Sequence, residues 1–130
     1  MAAREVSGDQ GDGRSVLIVD DHPSFRAAAR LMLERAGYNV VGESDDGASA
    51  LAAARRLRPA LVLLDVGLPD RDGFEVAEEL SRAEPAPRVV LVSARGAAPY
   101  RQRLAASPAR GFIAKRDLSP AAFRALVGDG

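Results

Sequence analysis

Cysteine is absent from the 130 residues. Its absence removes disulfide frameworks, thiolate metal sites and cysteine nucleophiles from consideration. Long apolar runs are missing as well. The longest unbroken stretches are four or five residues, well short of a membrane span or the apolar centre of a signal peptide. A soluble, cytoplasmic protein is therefore expected. There is no excess charge of either sign: 18 Lys and Arg balance 18 Asp and Glu, which argues against wholesale electrostatic binding to nucleic acid. Lysine is nearly absent. Seventeen of the basic residues are Arg, and Lys115 is the single exception, a position that can use a compact ammonium where a planar fork would not serve. Histidine also occurs once, as His22.

With 47% apolar and 28% charged residues the composition is that of an ordinary globular protein, and the length fits one compact domain. Charge is unevenly spread. Residues 86–130 carry eight basic and two acidic side chains, so the downstream third is basic and the upstream part acidic. Residues 1–14 are polar, Gly-rich and without periodicity, and read as a disordered tail; the folded domain is expected over 15–128.

Five short apolar runs then alternate with helical patterns. The strands are Ser15–Val19, Asn39–Glu43, Leu61–Asp65, Arg88–Val92 and Gly111–Ala114. Pro23 opens a first helix with Phe25, Ala29, Met32 and Ala36 at helical spacing and Gly37 as its stop. Ala48–Leu57 is a second, capped by Asp45-Asp46, with Ala50, Ala53, Ala54 and Leu57 on one face. Asp72-Gly73 starts a third, in which Phe74, Val76, Ala77 and Leu80 face inward until Pro85. Ala97–Ala106 is a weakly amphipathic fourth. Ser119-Pro120 caps a fifth, carrying Phe123, Leu126 and Val127. Strands that are apolar throughout, not alternating, belong to a parallel sheet covered on both faces. The expected fold is α/β, a doubly wound five-stranded parallel sheet in the order 2-1-3-4-5.

Chemistry gathers at the carboxyl ends of these strands. The first ends at Asp20-Asp21, the third at Asp65, the fourth at Ser93 and the fifth at Lys115. In such a sheet those ends form the ligand crevice. Asp65 ends an apolar strand with no helix directly behind it, and burying a carboxylate there costs free energy unless the charge is used. Helix capping is the plainer reading for Asp21 and for Asp70 or Asp72. Carboxylates about 4–6 Å apart repel by roughly 1 kcal/mol per pair in water and more inside a protein. All-oxygen donors favour a hard divalent cation, Mg²⁺ first. Ser93 and Lys115 suit phosphoryl oxygens, and an aspartate in such a site can be a nucleophile in phosphoryl transfer. His22 reads as a turn or cap residue ahead of the first helix, with a place at the mouth of the acid site as the rival reading.

The motifs VLIVDD, LVLLDVGLPDRDGFEV, VVLVSA and GFIAK stand in order along the chain. The stretch from Ser15 to Val127 resembles a response-regulator receiver domain of the CheY-like type. That resemblance implies that Asp65 accepts a phosphoryl group from a sensor histidine kinase. It implies that Asp21, Asp65 and the carbonyl of Gly67 bind Mg²⁺, with Asp20 reaching it through water. Ser93 and Lys115 would hold the phosphoryl oxygens, and Phe112 would be the aromatic switch position. Phe112 stands where the family commonly has Tyr, so a signal through a phenolic hydroxyl is expected to be absent. DDHP and KRDLSP resemble the branch that usually carries a LuxR-type helix-turn-helix. No such output domain is expected in this chain, which reads as a stand-alone receiver or one excised from a DNA-binding regulator. The output partner is open, and so is phosphorylation-dependent homodimerisation. Partner binding would change through the fourth helix, fifth strand and fifth helix, the segment that is also basic. The protein is not expected to be an enzyme beyond its own phosphorylation and dephosphorylation. An aspartate phosphatase of the haloacid-dehalogenase type would need Asp-x-Asp after the first strand and a substrate cap. A flavodoxin-like binder would need a Ser/Thr/Gly phosphate loop there. A receiver-shaped adaptor would have no use for the full polar set.

Overall fold

The computed structural model describes residues 13–128; the tail expected over 1–14 lies, for residues 1–12, outside the described residues. Five strands form one parallel sheet: β1 Ser15–Val19, β2 Asn39–Ser44, β3 Leu61–Asp65, β4 Arg88–Ser93 and β5 Gly111–Ala114. Their order is β2-β1-β3-β4-β5, the order expected of the doubly wound fold. The helices are α1 Pro23–Arg35, α2 Gly47–Leu57, α3 Gly73–Leu80, α4 Arg101–Ala106 and α5 Pro120–Val127.

The strands are apolar throughout because both faces are covered. Leu17, Val19, Val62, Leu64, Val89 and Leu91 point into one core with Ala50 and Leu51 of α2 and Phe74, Val76 and Leu80 of α3. Val16, Ile18, Leu61, Leu63, Val90 and Val92 point into the other, with Ala29 and Leu33 of α1 and Phe123 and Val127 of α5. Fully burying each such aliphatic side chain contributes roughly 1.5–3 kcal/mol.

Some expectations shift in detail. In α1 the buried residues are Ala29 and Leu33, while Phe25, Met32 and Ala36 pack only partly against the core. Leu33, four residues after Ala29, is the deeper half of the stripe. The third helix stops at Leu80 and not at Pro85, because Leu80 is the last residue of its apolar face and Ser81 folds its hydroxyl onto the Glu78 carbonyl. The fourth helix is not one piece. Ala98–Tyr100 forms a 3₁₀ turn and the α-helix begins at Arg101, with no residue of either fully buried. Pro99, lacking an N–H, and anchoring only through the half-buried Tyr100 and Leu104 leave this segment the least regular of the five.

Gly73 is required by close approach. A Cβ there would sit 2.4 Å from the Asp65 carbonyl oxygen and 2.7 Å from Val66 Cα. In a free helix Gly→Ala gains up to about 1 kcal/mol, but here the obstacle is backbone that cannot swing aside, and overpacking costs about 1–3 kcal/mol. Gly73→Ala is therefore expected to destabilise by about 1–2 kcal/mol in chemical denaturation. Gly67→Ala, where a Cβ meets nothing within 4 Å, is expected to stay within about 0.5 kcal/mol.

Candidate functional site

Strand register brings the polar residues together. Val19 pairs with Leu64, so the next residues, Asp20 and Asp65, emerge side by side at the sheet's carboxyl rim. Asp65 pairs with Val92, and Ser93 pairs with Ala114, which places Ser93 and Lys115 on the same rim. Asp20, Asp65 and Ser93 are buried at 0%, 4% and 5% exposure, so the charges here are largely withdrawn from water.

Lys115 is the counter-ion. Its Nζ lies 2.6 Å from Asp20 Oδ2 and 3.5 Å from Asp65 Oδ2, and 4.5 Å from the centre of the Phe25 ring. One compact ammonium thus serves two carboxylates. The chain places its only lysine where a point charge is wanted. Asp65 Oδ1 accepts from the Gly67 amide at 3.2 Å. Asp20 Oδ1 accepts from the His22 amide at 2.8 Å and lies 3.0 Å from His22 Nδ1. Burial pushes the Asp65 carboxyl above the usual aspartate range. The Asp20 charge adds to that rise, and the Gly67 amide and Lys115 only partly offset it.

The acidic cluster can hold a metal. One ligand atom from each of Asp20, Asp21, His22 and Asp65 falls within 4.8 Å of the others. Asp20 Oδ2 and Asp21 Oδ1 are buried without a hydrogen bond, although the first has the Lys115 ammonium beside it. Buried carboxylate oxygens left in this state are costly, and a divalent cation at this point would satisfy both. Oxygen-rich donors with no thiolate fit a hard ion. His22 is the N-cap residue of α1, without a side-chain cap bond, and it also stands at the mouth of the acids. Both readings of its sequence position describe it.

The capping alternatives resolve residue by residue. Asp21 caps nothing, since His22 holds the N-cap position. Asp72 caps α3 through the Phe74 amide at 2.8 Å. Asp70 does not cap the helix that follows it. It reaches across to the start of α2, accepting from the amides of Gly47 at 2.7 Å and Ala48 at 3.0 Å. The Gly47 amide is the main cause holding its carboxyl below the usual range. Asp70 thereby ties the loop after Asp65 to α2, a role invisible in sequence because its partner lies 22–23 residues away.

Ser93 is on the rim, but its hydroxyl is engaged elsewhere. Its Oγ accepts from the Arg95 amide at 3.0 Å and lies 3.4 Å from the Tyr100 hydroxyl. Tyr100 was not among the expected site residues. An aromatic in a weakly amphipathic helix reads as packing, and nothing local marks its hydroxyl. Phe112 has no hydroxyl, and the phenolic hydroxyl that lies near Ser93 belongs to Tyr100. Phe112 is half-buried on β5, with its ring 6.0 Å from that of Tyr100.

Comparisons with known proteins agree with this geometry. Residues 16–127 match the response regulator receiver domain model. The chain is 43% identical over 102 residues to a candidate transcriptional regulator of Pseudomonas aeruginosa, covering 78% of this chain and 49% of that protein. It is 38% identical over 101 residues to the response regulator GacA of the same species, covering 77% and 47%. It thus spans about half the length of the curated relatives it matches. Among solved structures, it is similar to the signal receiver domain of a candidate response regulator NarL from Mycobacterium tuberculosis, with 36% identity, a TM-score of 0.74 and 88% and 97% of the two chains covered. A two-component response regulator of the LuxR family from Aurantimonas is similar at 28% identity, TM-score 0.77, with 87% and 84% covered. The fold, the rim of acids with its lone lysine and these matches lead to one conclusion: this chain belongs to the response regulator receiver domain family of two-component signalling.

Proposed function

We propose that this chain is a phosphoacceptor switch in which Asp65 takes a phosphoryl group from a sensor histidine kinase. The observation that carries the reading is the placement of a buried Asp65 beside Asp20, within reach of Lys115. In the transfer an Asp65 carboxylate oxygen attacks phosphorus, a P–O bond forms, the P–N bond to the donor imidazole breaks, and that nitrogen keeps the bonding electron pair. Lys115, already 3.5 Å from Asp65 Oδ2, meets the added negative charge, about −1.5 to −2. The Gly67 amide holds the other carboxylate oxygen in place, and Ser93 supplies a hydroxyl to the phosphoryl group once it turns from its present partners. Mg²⁺, held by Asp21, Asp65 and the Gly67 carbonyl and reached by Asp20 through water, would neutralise the acids and orient the phosphoryl oxygens.

The downstream surface supports a partner-binding face. Arg103 pairs with Asp72, Arg124 bonds the Ala36 carbonyl and Arg88 the Val127 carbonyl. Arg95, Arg101, Arg110 and Arg116 are exposed and stand on or beside α4, β5 and the turn after it. We assign this face to the output step, with a protein partner or a DNA-binding domain of the kind the relatives' names imply, or a second copy of the chain. The chain itself is read as a switch with no catalysis beyond its own phosphorylation and dephosphorylation, and its setting as cytoplasmic. No described helix is long and apolar enough to cross a membrane.

Incubation with a small phosphodonor and Mg²⁺ is expected to add roughly 80 Da, one phosphoryl group, to the wild type and not to Asp65→Asn, as read by intact mass. An unmodified wild type would overturn the reading. Mg²⁺ is expected to raise the melting temperature by mass action, and Asp21→Ala to remove most of that rise. An equal rise in both proteins would place the metal elsewhere. The raised Asp65 carboxyl also predicts a sign. The native state binds more protons than the unfolded chain between the ordinary and the raised value. Stability without metal is therefore full below that window and falls as pH rises through it. Asp65→Asn should flatten this fall and, without divalent cation at neutral pH, melt at a higher temperature than the wild type.

A further inference from the structure

Tyr100 occupies a junction the phosphoacceptor reading does not use. Its ring is 5.8 Å from Phe74 of α3 and 6.0 Å from Phe112 of β5, and its hydroxyl is 3.4 Å from Ser93 Oγ at the end of β4. It is also the last residue of the 3₁₀ turn that leads into α4, the helical segment with no fully buried residue. A serine hydroxyl has one proton to donate. Ser93 Oγ already accepts from the Arg95 amide at 3.0 Å, so its remaining directed partner in the structure is Tyr100. At 3.4 Å that contact lies beyond the usual 2.5–3.0 Å range for two hydroxyls. It is weak, and costs little to give up.

We propose that Tyr100 is a positioning residue of the switch. In the unphosphorylated protein its hydroxyl holds the Ser93 hydroxyl away from Asp65. When Ser93 turns to a phosphoryl oxygen, the contact breaks and the start of α4 is released. This rests on the phosphoacceptor reading of Asp65 and adds the link from Ser93 to the surface. Phe112 cannot supply that link, because a phenyl ring has no hydroxyl. The two neighbouring rings keep the Tyr100 ring packed, and the hydroxyl contact adds the direct tie from the turn ahead of α4 to Ser93. Arg101, the next residue, is exposed and would move with it, so the released turn carries charge on the proposed partner face.

The chain has no tryptophan and two tyrosines. The other, Tyr38, is buried edge-on against Phe123 in the opposite core, so Tyr38→Phe leaves Tyr100 as the sole emitter. In that protein, with a small phosphodonor and Mg²⁺, Tyr100 emission is expected to change at the same rate as the Asp65 adduct appears by intact mass. With Ser93→Ala added, the emission is expected to start shifted and to stay unchanged as adduct forms. Tyr100→Phe keeps the ring packing and removes only the hydroxyl. It is expected to speed adduct formation about two- to tenfold, the equivalent of one weak neutral hydrogen bond. Full adduct with Tyr100 emission unchanged, or a Tyr100→Phe protein whose adduct forms at the wild-type rate, would overturn the proposal and leave Asp65 as phosphoacceptor. No adduct in any protein would overturn the underlying reading itself.

Discussion

Two buried carboxylates share one ammonium at the carboxyl rim of the sheet. Asp20 is fully buried and Asp65 nearly so, with Asp21 beside them. Among the described residues Lys115 is the only Lys or Arg within ion-pair distance of Asp20 and Asp65. The His22 ring also stands 3.0 Å from Asp20 and 3.2 Å from Asp21. The local charge does not balance. At an effective dielectric of about 20, unit charges near 4 Å interact by about 4 kcal/mol, so an unmatched acid at this rim is a large share of a small domain's stability of about 5–15 kcal/mol. The raised Asp65 carboxyl is one expression of this imbalance, and Asp21 Oδ1, buried without a hydrogen bond, is another. A divalent cation would relieve it. On the proposed reading, a phosphoryl group on Asp65 would add charge for Lys115 and Ser93 to meet, acting on electrostatics left unresolved beforehand.

The fold holds that arrangement against its own repulsion. Parallel register sets Asp20 beside Asp65 and Ser93 beside Ala114, and both cores clamp the strands that carry them. The loop after Asp65 is fastened twice. Asp70 binds the start of α2, and the Gly73 amide bonds the Val66 carbonyl at 2.9 Å, in a packing too tight for a Cβ. Arg26 bonds the Asp20 carbonyl and also Glu43, which anchors the end of β1 to β2. These contacts fasten the acid rim, whereas the segment from Ala98 to Ala106 has no fully buried residue and meets the core through the half-buried Tyr100 and Leu104. A fastened site beside a lightly anchored segment suits the proposed switch, since a charge change must move something.

Most of the frame was legible in the sequence, for a physical reason. Strands buried on both faces are written as unbroken apolar runs, and an acid closing such a run has few explanations other than use. The caps at Asp46, Asp72 and Ser119 were equally local, each accepting an amide two or three residues on. What escaped was non-local or ambiguous. Asp70 looks like a cap for the next helix and serves another. The third helix looks as though Pro85 ends it, but its apolar face ends first. The Tyr100 hydroxyl is hidden because an aromatic residue in a weak helix is more often packing, and only the sheet order brings it to Ser93. Ser93 itself was placed correctly on the rim, but not its present partners.

Charge imbalance at the rim is the central claim, and ¹³C NMR titration of the Asp65 carboxyl tests it directly. Without divalent cation the midpoint is expected above that of an ordinary aspartate, because burial and Asp20 both oppose ionisation. It should fall when Mg²⁺ is added, and it should fall in Asp20→Asn without any metal. A midpoint in the ordinary range that responds neither to Mg²⁺ nor to Asp20→Asn would contradict the account.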